Sequence, residues 1–330
     1  MDINEIGKFG LIDRLSAQFR PSLPSTVKGI GDDAAILRYG DANIAVTTAT
    51  LIEGINFDLT YFPLQHLGYK AAIAGFSNLY AMNATPRQIF VSIAVSAKFS
   101  VEALDRLYQG IKLACERHEV DLAGGDTVPS LTGLAITVAS IGEAETAKVT
   151  YRNTAQKGDL ICVSGNLGAA YMGLQILERE KKLFNEDPSI KPKLDDYAYV
   201  VGRYLKPEAR REIIKFLASN GMTPTSMIDI SSGLSPDLLH ICKTSGMGCE
   251  IHYHKIPIAE ETEAAAQEFN LEAVIVALNG GNDYELLFTI PVADYEKLLR
   301  NEDISIIGYV KDRDEGCNLM SGNGSKIELR

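Results

Sequence analysis

Asp32, Asp33, Asp126, Asp229 and Asp283 all sit on glycine-adjacent turns before or after strand-like runs, and they come from both halves of the chain. That spread favours a fold in which strand ends from two halves gather acids and glycines at their tips. For any one of these residues, the ordinary preference of turns for Asp and Gly is explanation enough. Five such turns, each also carrying Ser, Thr or a second Gly, suit something more specific. They offer hard oxygen ligands to Mg²⁺ and a polar cradle to phosphate, with positioning and charge neutralisation doing most of the chemistry. The first of them, Gly29-Ile30-Gly31-Asp32-Asp33, is followed within twenty residues by the threonine-rich strand end Val46-Thr47-Thr48-Ala49-Thr50.

The remaining pattern fills in the elements. Strands are predicted over 43–48, 89–96, 120–123, 134–141, 159–164, 227–230, 249–253, 286–290 and 304–310 from alternation and β-branched content. Helices are predicted over 64–84, from Ser100 as N-cap to His118, 169–181, 208–219 behind Pro207, 237–244 behind Ser235-Pro236, 260–269 and 294–300. Gly124-Gly125-Asp126-Thr127 reads as a turn between strands. Asn78 falls on the apolar line Leu67, Ala71, Ala74, Met82 of the long helix, so its inward amide needs a partner. Polar, aperiodic sequence over 143–156 marks a boundary, giving an α+β chain of two α/β domains, 1–148 and 149–330.

Composition removes several classes of function. The chain has 330 residues and a net charge of −11, with no visible basic patch, so nucleic acid is not an expected partner. No apolar run is long enough to span a bilayer and the start lacks a signal pattern, so a cytoplasmic location is expected. The five cysteines, Cys115, Cys162, Cys242, Cys249 and Cys317, are odd in number and lack a Cys-x-x-Cys pair. They read as reduced, small apolar fillers rather than a disulfide framework or a zinc site. There is no Gly-x-x-x-x-Gly-Lys-Ser/Thr loop and no Gly-x-Ser-x-Gly elbow, and the five histidines show no paired metal spacing.

Six motifs in order carry a resemblance: Gly-Ile-Gly-Asp-Asp-Ala-Ala at 29–35, Leu-Ile-Glu-Gly-Ile-Asn-Phe at 51–57, Leu-Gly-Tyr-Lys-Ala at 67–71, Gly-Gly-Asp-Thr at 124–127, Asp-Ile-Ser at 229–231 with Gly233-Leu234, and Gly-Gly-x-Asp-Tyr-Glu-Leu at 280–286. On these the chain resembles the thiamine-monophosphate kinase family, within the group related to aminoimidazole ribonucleotide synthetase. The resemblance implies a two-domain fold of that type, whose N-terminal domain binds ATP and Mg²⁺ and dimerises through its sheet. It implies ATP-dependent phosphorylation of thiamine monophosphate to thiamine diphosphate, a step of thiamine biosynthesis, by direct in-line transfer. By the same resemblance Asp32, Asp33, Thr47, Thr48, Asp126 and Asp229 are expected on Mg²⁺, and Gly125, Asp126, Arg152 and Ser231 at the nucleotide. Asn56 and Asn282 are expected on the substrate side. No residue is expected to act as a covalent or acid–base catalyst.

Departures cluster. Ala49, Asn78, Ser232 and Asn282 stand where the family has acids, and Asn56 stands where it has a substrate-side His. Packed carboxylates repel unless a cation neutralises them, so neutral replacements suit a site that holds fewer metals. Two alternatives therefore stand beside a working kinase. One is an impaired or inactive homologue that binds nucleotide or thiamine phosphate in a regulatory role, and the other is a kinase for a different acceptor.

Overall fold

The computed structural model describes residues 3–189 and 191–329. The first half runs α1 (Ile3–Ser16), β1 (Thr26–Lys28), β2 (Ala35–Tyr39), β3 (Ala42–Ile52), α2 (Leu64–Ala81), β4 (Thr85–Ser96), α3 (Val101–His118), β5 (Asp121–Ser130) and β6 (Leu134–Ala144). Its sheet has the order β1-β2-β3-β6-β4-β5. The second half runs β7 (Leu160–Ser164), α4 (Ala169–Glu186), α5 (Ala198–Leu205), α6 (Arg211–Ser219), β8 (Ser226–Ile230), α7 (Leu234–Ser245), β9 (Gly248–His252), α8 (Glu260–Glu268), α9 (Ala273–Asn279), β10 (Glu285–Ile290), α10 (Tyr295–Leu298), β11 (Ile304–Lys311), β12 (Cys317–Met320) and β13 (Lys326–Glu328). Its sheet has the order β13-β12-β9-β11-β7-β10-β8.

The two sheets differ in how they are covered, and the sequence shows why. In β3, β4 and β6 apolar residues alternate with small or polar ones. Leu51, Val91, Ile136 and Val138 pack on the α2 side, while Thr48, Thr50, Phe90 and Ser92 stay exposed on the other face. Strands β7, β8 and β10 are buried along their whole length. In β7, Ile161 and Val163 feed one core and Leu160 and Cys162 another, as expected of a sheet packed on both faces. The largest apolar cluster joins the halves, since α2 residues such as Tyr69 and Phe76 share it with Met172, Ile176 and Tyr204 of α4 and α5. Lys70, fully buried on α2, is held there by the Tyr204 carbonyl at 3.1 Å and by that residue's ring, 3.9 Å from its ammonium. No helix among the described residues is long and apolar enough to cross a membrane.

Several local expectations change. Gly124-Gly125-Asp126-Thr127 is not a turn: it lies inside β5, paired in parallel with β4. A Cβ on Gly125 would sit 1.8 Å from the Val91 carbonyl, so glycine is required there for strand pairing. The helix behind Pro207 begins only at Arg211, and α5 precedes it. Ser235-Pro236 lies within the first turn of α7, which starts at Leu234. Helix α4 continues beyond the predicted 181 to Glu186. Helix α9 and strands β12 and β13 were invisible as short segments without clear periodicity. Ser100 does cap α3, accepting from the Ala103 amide at 3.3 Å.

Candidate functional site

A cavity of about 400 Å³ opens where the β2 and β3 ends meet the β8–α7 turn. Asp32, Asp33, Thr47, Thr48, Asn78, Arg152, Asp229 and Ser231 all line it, so one place collects most of the expected site residues from both halves. Ser232 lines it too.

Its electrostatics are set by buried acids. The Arg152 guanidinium grips Asp33, with Nε 2.9 Å from one carboxylate oxygen and a second, close contact to the other. Asp32, whose side chain is fully enclosed, accepts from the Arg152 backbone amide at 3.2 Å and faces Lys28 at 3.6 Å. Burial and the Asp33 charge raise its pKa to about 6. Asp229 is also buried, and burial, then Asp33 and Asp237, raise its pKa to about 8. Its Oδ2 has no hydrogen-bond partner, although the Ser77 hydroxyl lies close enough to favour the ionised form. An orphaned buried carboxylate oxygen is unusual enough to need a reason. Beside two more carboxylates and threonine hydroxyls it suits a hard cation, so the residues present fit Mg²⁺.

The neutral substitutions behave differently from one another. Asn78 finds the partner its placement demanded, donating to Thr47 Oγ1 at 3.1 Å, while Thr47 donates to the Asp33 carbonyl at 2.8 Å. The Thr47 hydroxyl is therefore already engaged twice. Ala49 is half-buried against the apolar cluster shared by the two halves and is not part of the cavity lining. Asn282 has φ +61° and donates its amide to the Ser231 carbonyl at 3.0 Å. Asn tolerates this left-handed backbone better than Glu, so its side chain answers a local need as well. Asn56 is exposed and braces its own turn, its Oδ1 accepting from the Ile52 amide at 2.9 Å. Neither Asn56 nor Asn282 lines the cavity.

Two acids of the five lie elsewhere. Asp283 caps α4, accepting from the Gly168 amide at 2.9 Å and the Ala170 amide at 3.3 Å, and its role is to hold that helix end. Asp126 is exposed on the edge strand β5, in one cross-sheet row with Ser92, Thr137 and Thr50. Three strand spacings separate it from Thr50, roughly 14 Å. With Gly125 it lines a separate shallow cleft beside Tyr108. Sequence reasoning overlooked Asp237, His240 and Lys28. Asp237 accepts from the Ser231 and Ser232 amides at 3.1 and 3.0 Å and so fixes the turn at the cavity floor. Its signal was an acid in the first turn of a helix, where the amide ends favour it.

Residues 31–144 match the family described as AIR synthase related protein, N-terminal domain. The whole chain is similar to the thiamine-monophosphate kinase of Aquifex aeolicus, 31% identical across 99% of this chain and 98% of that one. The chain belongs to the thiamine-monophosphate kinase family. The enzyme of that name from Buchnera aphidicola subsp. Schizaphis graminum is 33% identical over 98% of this chain and 96% of its own. Among solved structures, AaThiL complexed with AMPPCP and TMP superposes with a TM-score of 0.85 at 30% identity, covering 99% of this chain and 97% of that one. The two sheets and their helices are thus the aminoimidazole ribonucleotide synthetase-like fold of thiamine-monophosphate kinases.

Proposed function

We propose that this chain phosphorylates thiamine monophosphate with ATP to give thiamine diphosphate, by direct in-line transfer, in the cavity bounded by Asp32, Asp33 and Asp229. The observation that carries the reading is the orphaned, buried Asp229 Oδ2 in a cavity lined by oxygen donors and one arginine, in a chain similar along its whole length to thiamine-monophosphate kinases. Asp32, Asp33 and Asp229 are the groups to hold Mg²⁺, which when bound neutralises charge on the transferred phosphoryl. Among the described residues these carboxylates do not close into a group of three within 4.8 Å, in keeping with an ion that completes its shell with phosphate and water. Arg152 and the Ser231 turn orient the nucleotide, and a cation held by Asp33 would leave the Arg152 guanidinium available to a phosphate. The reaction fits the cytoplasmic location expected from the sequence. ADP release in a coupled assay with ATP, Mg²⁺ and thiamine monophosphate tests it. A turnover of about 1 per second or faster is the expected result for an ordinary kinase.

A second reading has support of its own in the Asn78–Thr47 hydrogen bond, which occupies a hydroxyl the family gives to metal, and in Ala49, which offers no ligand. Here the chain binds ligand with fewer ions and turns over slowly. It predicts thermal stabilisation by nucleotide or thiamine monophosphate in chelator, with little ADP. Under this reading, Asn78→Asp with Ser232→Asp, both in the cavity lining, raises Mg²⁺ affinity by roughly tenfold, or about 1.4 kcal/mol. Isothermal titration with Mg²⁺ checks it, and unchanged affinity overturns it.

We divide the chain at 148/149, where the first sheet has closed at Ala144 and the second has yet to open at Leu160. The bare face of the first sheet, with Thr48, Thr50, Ser92 and β5 exposed, is the surface on which a second copy pairs to form a homodimer. Thr137 lies within that face, so Thr137→Arg is expected to shift the chain from dimer to monomer in analytical ultracentrifugation. A wild-type monomer, or a variant that stays dimeric, rejects this surface.

A further inference from the structure

Cys242 of α7, Cys249 of β9 and Cys317 of β12 come from three elements, 7 and 68 residues apart, yet their sulfurs lie within 4.8 Å of one another. Cys249 and Cys317 face each other in the parallel register of β9 and β12, and α7 brings Cys242 down upon them. Cys242 and Cys249 are buried among Leu238, Ile241, Val310 and Leu319, while Cys317 is half-exposed. Among the described residues no other His, Cys, Asp or Glu atom joins the group. The other two cysteines, Cys115 and Cys162, lie outside it.

We propose that Cys242, Cys249 and Cys317 form a binding site for one thiophilic d¹⁰ cation of the Zn²⁺ class. Zn–S bonds of about 2.3 Å at tetrahedral angles place sulfurs about 3.8 Å apart, so closing this trio takes movements of about 1 Å or less. Three S–H protons pass to solvent as three metal–sulfur bonds form, and no oxidant or reductant is consumed. The fourth position faces the half-exposed Cys317 side and is left for water. Three thiolates and a divalent ion leave one net negative charge, which that water-facing side makes tolerable. The bound ion pins the C-terminal turn of α7 to two strands. The other end of α7 carries Asp237, which fixes the cavity floor, so the ion would stiffen the candidate site from behind.

Sequence spacing could not reveal this trio, because metal patterns are read from short local repeats and this one is assembled by β-pairing. The test is a Cd²⁺ titration of the reduced, metal-free full chain, followed by the thiolate-to-metal absorption band and by proton release. The expected result is one ion per chain, with affinity lowered at least ~100-fold in Cys317→Ser and in Cys242→Ser and unchanged in Cys115→Ser. Should Cys242→Ser fail to fold, Cys317→Ser decides, because that side chain is half-exposed and its variant keeps the apolar packing. Absence of the band, binding unaffected by Cys317→Ser, or a ratio other than one ion per chain overturns the proposal. So does a disulfide linking two of the three thiols that resists reduction.

Discussion

Asp229→Asn is expected to cut turnover sharply and at the same time to make the ligand-free chain more stable. The residue is buried with one carboxylate oxygen unpartnered, beside Asp33 and Asp237, and its pKa of about 8 lies far above the 3.8 of an exposed Asp. The folded chain therefore keeps a proton that the unfolded chain releases above about pH 4. Stability attributable to this residue falls as pH rises from about 4 to about 8, and the loss is complete above that range. Asparagine carries no such penalty. Its gain over aspartate should be small at pH 4 and about 2 kcal/mol at pH 8.5, well below the full linkage value because a real site relaxes. A thermal melt at the two pH values, with circular dichroism to confirm the fold, measures it. Loss of the cation ligand lowers kcat by roughly 10²–10³-fold. An unchanged melt at pH 8.5 would contradict the buried-acid account, and retained turnover would remove Asp229 from the reaction. Stability gained with activity lost is the signature of a site held under electrostatic strain for function.

How much of this was readable from sequence depends on what each residue answers to. Asp32, Asp33, Thr47, Thr48 and Arg152 converge as expected because strand ends fix where their neighbours point, and Asn78 announced its need for a partner by its place on an apolar helical line. Asp283 misled because a turn acid before a strand looks the same whether it faces a ligand or caps a helix 115 residues earlier. The turn expected at Gly124-Gly125-Asp126-Thr127 failed because glycines suggest a turn, whereas here the Gly125 position is cramped by the Val91 carbonyl of a paired strand. Whether a row of residues faces a cavity or a bare sheet depends on register. Register is a property of pairing partners, not of local sequence.

Replacing Arg152 tests whether a side chain is standing in for a metal. Asp32 and Asp33 are adjacent, with side chains 0% and 1% exposed, and the Arg152 guanidinium grips Asp33 through two contacts. Arg152→Met keeps the aliphatic packing and removes that charge. Breaking one side of a buried pair costs about 3–5 kcal/mol, since the remaining charge has no compensation. The melting temperature in chelator should fall accordingly, and the KM for ATP should rise because phosphate loses its cationic contact. The informative quantity is the response to Mg²⁺. In the wild type the ion must compete with Arg152 for Asp33, whereas in the variant that guanidinium no longer opposes it. Millimolar Mg²⁺ should therefore raise the melting temperature of Arg152→Met by more than it raises that of the wild type, recovering much of what the substitution lost. Equal increments in the two proteins would mean that the ion does not reach Asp33, and that the Asp33–Arg152 pair is a fixed structural contact.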